Sequence, residues 1–239
     1  RFFRGQPQNI GGMRNYVIYQ QGIPQILTPN SIPTNCIIYY DSKGDKHILL
    51  GISPTYGLGL SSVIDVTYTS TGSQTNTYSS TYTNPTNTLT QFVVVISIIN
   101  SLPTQIILCL GMKNYTDINS SEAISSILAK KDTGGFFKVN FPDFVLQEAT
   151  GGMLYVGNRL FYYGSNGLVR WSSIAAEKSG QQTSLQKPFL FFEDKYSINI
   201  STDKVIYGAE WRGGANSPTI IFWTLSSVVL ISNTTGSNN

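Results

Sequence analysis

The sequence predicts an all-β fold of mainly antiparallel strands. Short runs of Val, Ile, Leu, Tyr and Phe recur along the 239 residues, clusters of Gly, Asn, Ser and Pro separate them, and one stretch alone has helical periodicity. A β-sandwich or jelly roll is the first expectation and a β-propeller the alternative, because both are built from short strands joined by tight turns.

In chain order, residues 35–51 read as a hairpin. Cys36-Ile37-Ile38-Tyr39-Tyr40 and His47-Ile48-Leu49-Leu50 flank the polar turn Asp41-Ser42-Lys43-Gly44-Asp45. Residues 63–69 then alternate Val63, Asp65 and Thr67 with Ile64, Val66 and Tyr68, the period of a half-buried strand. Residues 70–90 are almost wholly Ser, Thr, Asn, Gln and Tyr, which predicts a loop with edge-strand character. That stretch holds no Lys, Arg, Asp or Glu to discourage a neighbouring strand, so it is expected in intermolecular contact, with Pro85 the one interruption.

Residues 91–99 and 105–110 are strongly apolar and read as paired core strands joined at Asn100-Ser101-Leu102-Pro103. One short helix is predicted over 119–131. Asn119 and Glu122 form a capping box, Ala123, Ile124, Ile127 and Leu128 make an apolar stripe, and Lys130 and Lys131 precede the stop at Gly134-Gly135. The chain is expected to be one β-rich domain, with a division into two β modules near 112–135 as the alternative.

Residues 152–173 read as a three-strand meander. Met153-Leu154-Tyr155-Val156, Arg159-Leu160-Phe161-Tyr162-Tyr163 and Leu168-Val169-Arg170-Trp171 are divided by Gly157-Asn158 and Gly164-Ser165-Asn166-Gly167, which suit turns needing positive φ. Three further strands follow at 205–211, 219–225 and 228–231, the first two separated by a Gly-rich loop. The run GGMLYVGNRLFYYGSNGLVRW, residues 151–171, resembles a blade of the β-propeller heads of viral attachment glycoproteins. The dense cysteine framework typical of such heads is not present in the sequence, and the family is not assigned.

Charged residues are 12% of the chain, against roughly 25% in an average soluble domain. With a net charge of +3 and many β-branched and aromatic residues, the composition is that of a folded chain and not of a disordered one. A surface of hydroxyls and amides carries little charge to hold copies apart, which suits packed arrays and predicts an extracellular, virion or cell-surface location. Basic residues cluster only at Arg1, Arg4 and Arg14, beside Phe2 and Phe3, so nucleic acid is not an expected partner. The longest apolar run, 93–99, is strand-sized, and no membrane span is expected. The sequence has no initiator Met or leader pattern, as in a mature product or a fragment.

Cys36 and Cys109 match no metal or redox spacing and are expected as a disulfide within one core, with two buried thiols the alternative. His47 is the sole histidine, so a multi-His metal site is excluded; a partly exposed strand-end position is expected for it. Gly57-Leu58-Gly59 lacks the further Gly and the helix of a nucleotide-binding turn, and the acids of the 41–45 turn lack an EF-hand's downstream Glu. No metal, cofactor or catalytic residue is therefore assigned. Asp143, Glu148, Glu193, Asp194, Asp203 and Glu210 could supply a glycosidase pair only if folding brought two together.

The sharper candidates are aromatic. Trp211 and Arg212, with Glu210 beside them and Asn216 in the following loop, could hold a sugar or a carboxylate. Sequons at Asn114, Asn199 and Asn233 allow glycosylation, while Asn119 is reserved for the helix cap. The leading functional expectation is a non-enzymatic surface subunit, such as a virion capsid or spike component or a surface-layer or filament subunit. Its partners would be copies of itself or other subunits. A carbohydrate-binding attachment module recognising host or cell-surface glycans is second, and an extracellular hydrolase third.

Overall fold

The computed structural model describes residues 2–3, 6–7, 17–20, 23–26, 31–54, 62–72, 74–78, 88–113, 126–131, 135–173, 192–193, 196–211 and 219–232. Strands are mostly antiparallel, as the sequence predicts. Two short pairs come first: β1 (Phe2–Phe3) with β2 (Gln6–Pro7), and β3 (Val17–Gln20) with β4 (Ile23–Ile26). Four meander sheets follow, each pairing strands in sequence order.

The first sheet holds β5 (Ser31–Tyr40), β6 (Lys46–Pro54), β7 (Ser62–Tyr68) and β8 (Gln74–Tyr78). The second holds β9 (Thr88–Ile99), β10 (Leu102–Lys113), β11 (Ser126–Lys131) and β12 (Phe136–Lys138). The third holds β13 (Gly152–Val156), β14 (Arg159–Tyr163), β15 (Leu168–Trp171) and β16 (Ser197–Asn199), and the fourth β17 (Val205–Trp211), β18 (Thr219–Thr224) and β19 (Val228–Ile231). One short helix, α1 (Asp143–Glu148), connects the second sheet to the third.

Successive sheets share apolar cores. Leu49 and Val63 of the first meet Ile107 and Cys109 of the second; Val95, Ile106, Leu108 and Leu110 on its other face meet Met153, Leu160 and Tyr162 of the third. Leu154, Phe161 and Tyr163 then face Val205, Ile220 and Phe222 of the fourth. Alternate residues of β10 between Ile106 and Leu110 thus face different cores, and this part of the strand is a continuous apolar run because neither of its faces meets water. Tight turns keep the strands in register: Gly157-Asn158 and Asn100-Ser101 each place two consecutive residues at positive φ, the geometry of a two-residue hairpin.

Polar side chains tie the second sheet to the third. The Gln91 amide acts as one rung of a strand ladder, donating from Nε2 to the Met153 carbonyl at 2.9 Å and accepting the Met153 N–H at 3.0 Å. Tyr155 Oη donates to the Ile96 carbonyl at 2.7 Å. Gln91→Leu keeps the volume but removes both partners of a buried backbone pair, so it is expected to destabilise the chain by about 1–3 kcal/mol. Urea unfolding measures this; an unchanged midpoint would mean that the rung contributes nothing.

The structure corrects two expectations. The predicted helix over 119–131 is a strand where it is described: Ser126–Lys131 is β11, with Ile127 opposite Leu110, Leu128 opposite Cys109 and Ala129 opposite Leu108. The buried strand β10 requires a hydrogen-bonding partner on each side, and that demand overrides a capping box and a weak helical stripe. Of the stretch 112–135, weighed as a boundary, residues 112–113 and 126–131 belong to the paired strands β10 and β11, and most of the remainder lies outside the described residues. The expected disulfide is not formed: Cys36 carries an exposed thiol and Cys109 a buried one. Cys36 lies opposite Leu50, on the face of the first sheet away from Leu49 and the core holding Cys109, so the sheet itself separates them.

Candidate functional site

The fourth sheet has one covered face and one open face. Ile220 and Phe222 point inward to the third sheet. Residues directly opposite in antiparallel strands share a face, so the pairings Tyr207–Trp223–Val228, Ala209–Ile221–Leu230 and Trp211–Thr219 set three rows on the outer side. Tyr207 is 53% exposed, Trp211 51%, and Val228 and Leu230 each 54%. Tyr207 and Trp223 pack with ring centroids 5.4 Å apart at 46°, a preformed aromatic pair. The outer rows contain no Lys, Arg, Asp, Glu or His.

This geometry separates the residues proposed for a ligand. Glu210 and Trp211 are consecutive in a strand and point to opposite faces, with Glu210 opposite Ile220 and Trp211 opposite Thr219. Arg212 and Asn216 lie outside the described residues. The residues that share its face, Thr219 opposite, Ala209 and Ile221 in the next row and the Tyr207–Trp223 pair in the row beyond, were not read from the sequence as one surface. Their signal was the run Ile220-Ile221-Phe222-Trp223, apolar at every position, which marks a strand meant to be covered on both faces.

A second cluster is buried in the first sheet. His47 on β6 is only 5% exposed, which corrects its expected strand-end exposure, and Asp65 on β7 is 1% exposed. His47 Nδ1 donates to the Asp65 carboxylate at 3.0 Å, Thr67 Oγ1 lies 3.0 Å from the same nitrogen, and Nε2 faces Asp41 Oδ2 at 3.5 Å. The Tyr39 ring stacks on the imidazole at 4.6 Å and 7°. Asp41 organises the β5–β6 turn by accepting the N–H groups of Lys43 and Asp45, both at 2.9 Å. Burial works against its charge, but those two N–H groups and His47 favour it more strongly, so the Asp41 carboxyl sits below its ordinary pKa.

The cluster has the residue types of a catalytic triad without its order. A triad places the nucleophile on one imidazole nitrogen and the acid on the other; here Thr67 and Asp65 share Nδ1, and Nε2 faces a second carboxylate. Its chemistry is that of a turn lock, holding β5, β6 and β7 together at one end. Among the described residues no group of three His, Cys, Asp or Glu could hold a metal ion.

The candidate carboxylates serve different neighbours. Glu148 accepts from Tyr162 Oη at 2.5 Å and lies 3.7 Å from Arg170 Nε, fastening α1 to the third sheet. Asp203 accepts from Ser226 Oγ, Asp143 is exposed in the first turn of α1, and Asp194 lies outside the described residues. Of the sequons, Asn199 is exposed at the end of β16; Asn114 and Asn233 lie outside the described residues. The comparisons give no relative to reason from: no family model, no curated protein and no solved structure matches the chain.

Proposed function

We propose that this chain is a non-enzymatic structural subunit of an extracellular surface assembly, of the virion-spike or surface-layer kind, and that it works through the open face of its fourth sheet. The observation that carries the reading is the row structure of that face, in which exposed Tyr207, Trp211, Val228 and Leu230 surround half-buried Ile221 and Trp223 with no charge among them. Contiguous apolar faces of this kind mark association surfaces.

We also read the four sheets as consecutive blades of a propeller-like arrangement. A sandwich faces two sheets across one core, whereas here three cores follow one another in chain order. The first strands of successive sheets, β5, β9, β13 and β17, also lie side by side. On this reading the fourth sheet offers the kind of face that the next blade would cover. Glycan binding fits less well, since a sugar needs polar groups beside the aromatic ring and Glu210 faces away from Trp211.

Sedimentation velocity from micromolar to millimolar concentration tests the reading. The wild-type chain is expected to associate as concentration rises, and the double variant Trp211→Ser, Leu230→Ser to remain monomeric with an unchanged far-UV circular dichroism spectrum. A wild-type chain that stays monomeric across the range ends it.

A further inference from the structure

We infer that His47 is a proton-operated latch on the 41–45 turn: with a proton on each ring nitrogen it keeps the turn closed, and loss of the proton on Nε2 releases it. A neutral imidazole has one donor and one acceptor nitrogen, whereas the imidazolium has two donors. Here a carboxylate faces each nitrogen. Both Asp65 oxygens lie 3.0 Å from Nδ1, and Asp41 Oδ2 lies 3.5 Å from Nε2. Thr67 Oγ1, 3.0 Å from Nδ1, directs its own proton to Asp65 Oδ2, so it too meets Nδ1 as an acceptor. Nε2 is enclosed, and no hydroxyl or N–H among the described residues reaches it as a donor. An unprotonated Nε2 would therefore turn its lone pair toward an anionic oxygen where only 5% of the residue meets solvent.

The groups around the ring agree with this assignment. Asp41 is ionised over the range in which imidazoles titrate: burial opposes its charge, but the N–H groups of Asp45 and Lys43, and His47 itself, outweigh burial and hold its carboxyl below the usual value. Tyr39 stacks on the ring, Lys43 and Asp45 lie in the turn, and Lys46 beside His47 approaches the Tyr68 ring at 6.0 Å, on the other face of the strand. From the second sheet, Cys109 shares the core of Tyr39, and Lys130 and Lys138 stand in register opposite Ile107 and Leu128.

The latch reaches the backbone through Asp41. Its Oδ1 accepts the N–H groups of Lys43 and Asp45, its carbonyl accepts that of Gly44 at 3.0 Å, and Asp45 accepts the Ser70 N–H at 3.1 Å from beyond β7. An Asp41 carboxylate repelled by a bare Nε2 breaks the bonds that close the turn and loosens its tie to Ser70. Proton binding by the ring thus favours the closed turn, which is lost as pH rises through the ring's titration; protonation of Asp41 sets the acid limit, below about pH 4.

His47 is the sole histidine, so its ring signals identify themselves in nitrogen NMR of the full chain. From about pH 5 to about pH 9, the ring is expected to pass from two protonated nitrogens to one, at Nδ1. The amide signals of Lys43, Asp45 and Ser70 should shift at the same midpoint, while those of the third sheet, such as Tyr162, stay in place. Asp41→Asn is expected to abolish the amide shifts, because a carboxamide donates to the bare nitrogen while its oxygen still accepts from the turn. A ring that keeps one protonation state across the range, turn amides that do not follow it, or third-sheet amides that move with them overturns the latch. So does an undiminished amide transition in Asp41→Asn.

Discussion

Replacing His47 by alanine is expected to destabilise the fold by about 3–5 kcal/mol, the usual cost of taking the partner from a buried carboxylate. Asp65 is almost wholly enclosed and uses the His47 Nδ1 proton at 3.0 Å; without it, a buried carboxylate keeps only its remaining neighbours, Thr67 Oγ1 at 3.3 Å among them. Asp41 loses its contact at Nε2 but retains the two turn N–H groups, so the damage centres on Asp65. Equilibrium urea unfolding provides the measurement. A companion variant separates charge from packing: His47→Leu, Asp65→Leu removes both members and is expected to lie closer to wild type than His47→Ala. If the double variant is instead the less stable, the pair holds the sheet by more than mutual compensation. The acid limb carries a further sign. Because the Asp41 carboxyl is held below its ordinary value, its contribution is fully present above about pH 4 and is lost as pH falls through the lower folded value. Stability of the wild-type chain should therefore fall with pH below 4, and Asp41→Asn should flatten that limb.

Gly151→Ala is expected to cost about 3 kcal/mol or more, at the upper end of overpacking effects. A methyl group at this position would lie 2.0 Å from the Val205 carbonyl oxygen and 2.8 Å from a Tyr163 ring carbon, and the first of these is backbone that cannot rotate away. Gly151 donates its N–H to the Tyr163 carbonyl at 2.8 Å, and Val205 donates to the Gly164 carbonyl at 2.9 Å. The third and fourth sheets therefore approach each other through main chain, and one added carbon pushes β17 off the sheet beneath it. Gly135→Ala is the control, since no atom lies within 4 Å of its added carbon and its φ is not in the left-handed region. The control should shift the thermal midpoint negligibly while Gly151→Ala lowers it by many degrees. Comparable midpoints for the two would mean that the sheets separate without cost.

Much of the fold was legible because local patterns and tertiary demands agreed. The 35–51 hairpin, the 91–110 pair, the 152–173 meander and the three C-terminal strands all stand where apolar runs and positive-φ turn residues put them. Residues 74–78 of the polar stretch form β8, the edge strand of the first sheet, in keeping with the edge character read there; most of the remainder lies outside the described residues. The alternation at 63–69 was read correctly as a strand and too simply as half-buried. Asp65 and Ile64 face opposite ways and both are enclosed, because apolar neighbours cover one face and the His47 cluster fills the other. Helix α1 escaped notice: Pro142 before it and Asp143 in its first turn were the available start signals.

By itself the sequence determined what the residues had to be: strands, separated by turns, with too little charge to give a heavily charged surface. Those properties follow from side-chain shape and φ preference, which act within a few residues. Only the tertiary structure decided which partners the strands took. It made β11 a strand because β10 lacked a second ladder, and kept Cys36 and Cys109 apart because a whole sheet lies between their faces. It turned Glu210 away from Trp211, whose side of the sheet is the open face shared with Tyr207 and Trp223. A single sequence does not carry these outcomes, since pairing and face depend on residues far apart along the chain and one step of register exchanges every side chain between core and surface.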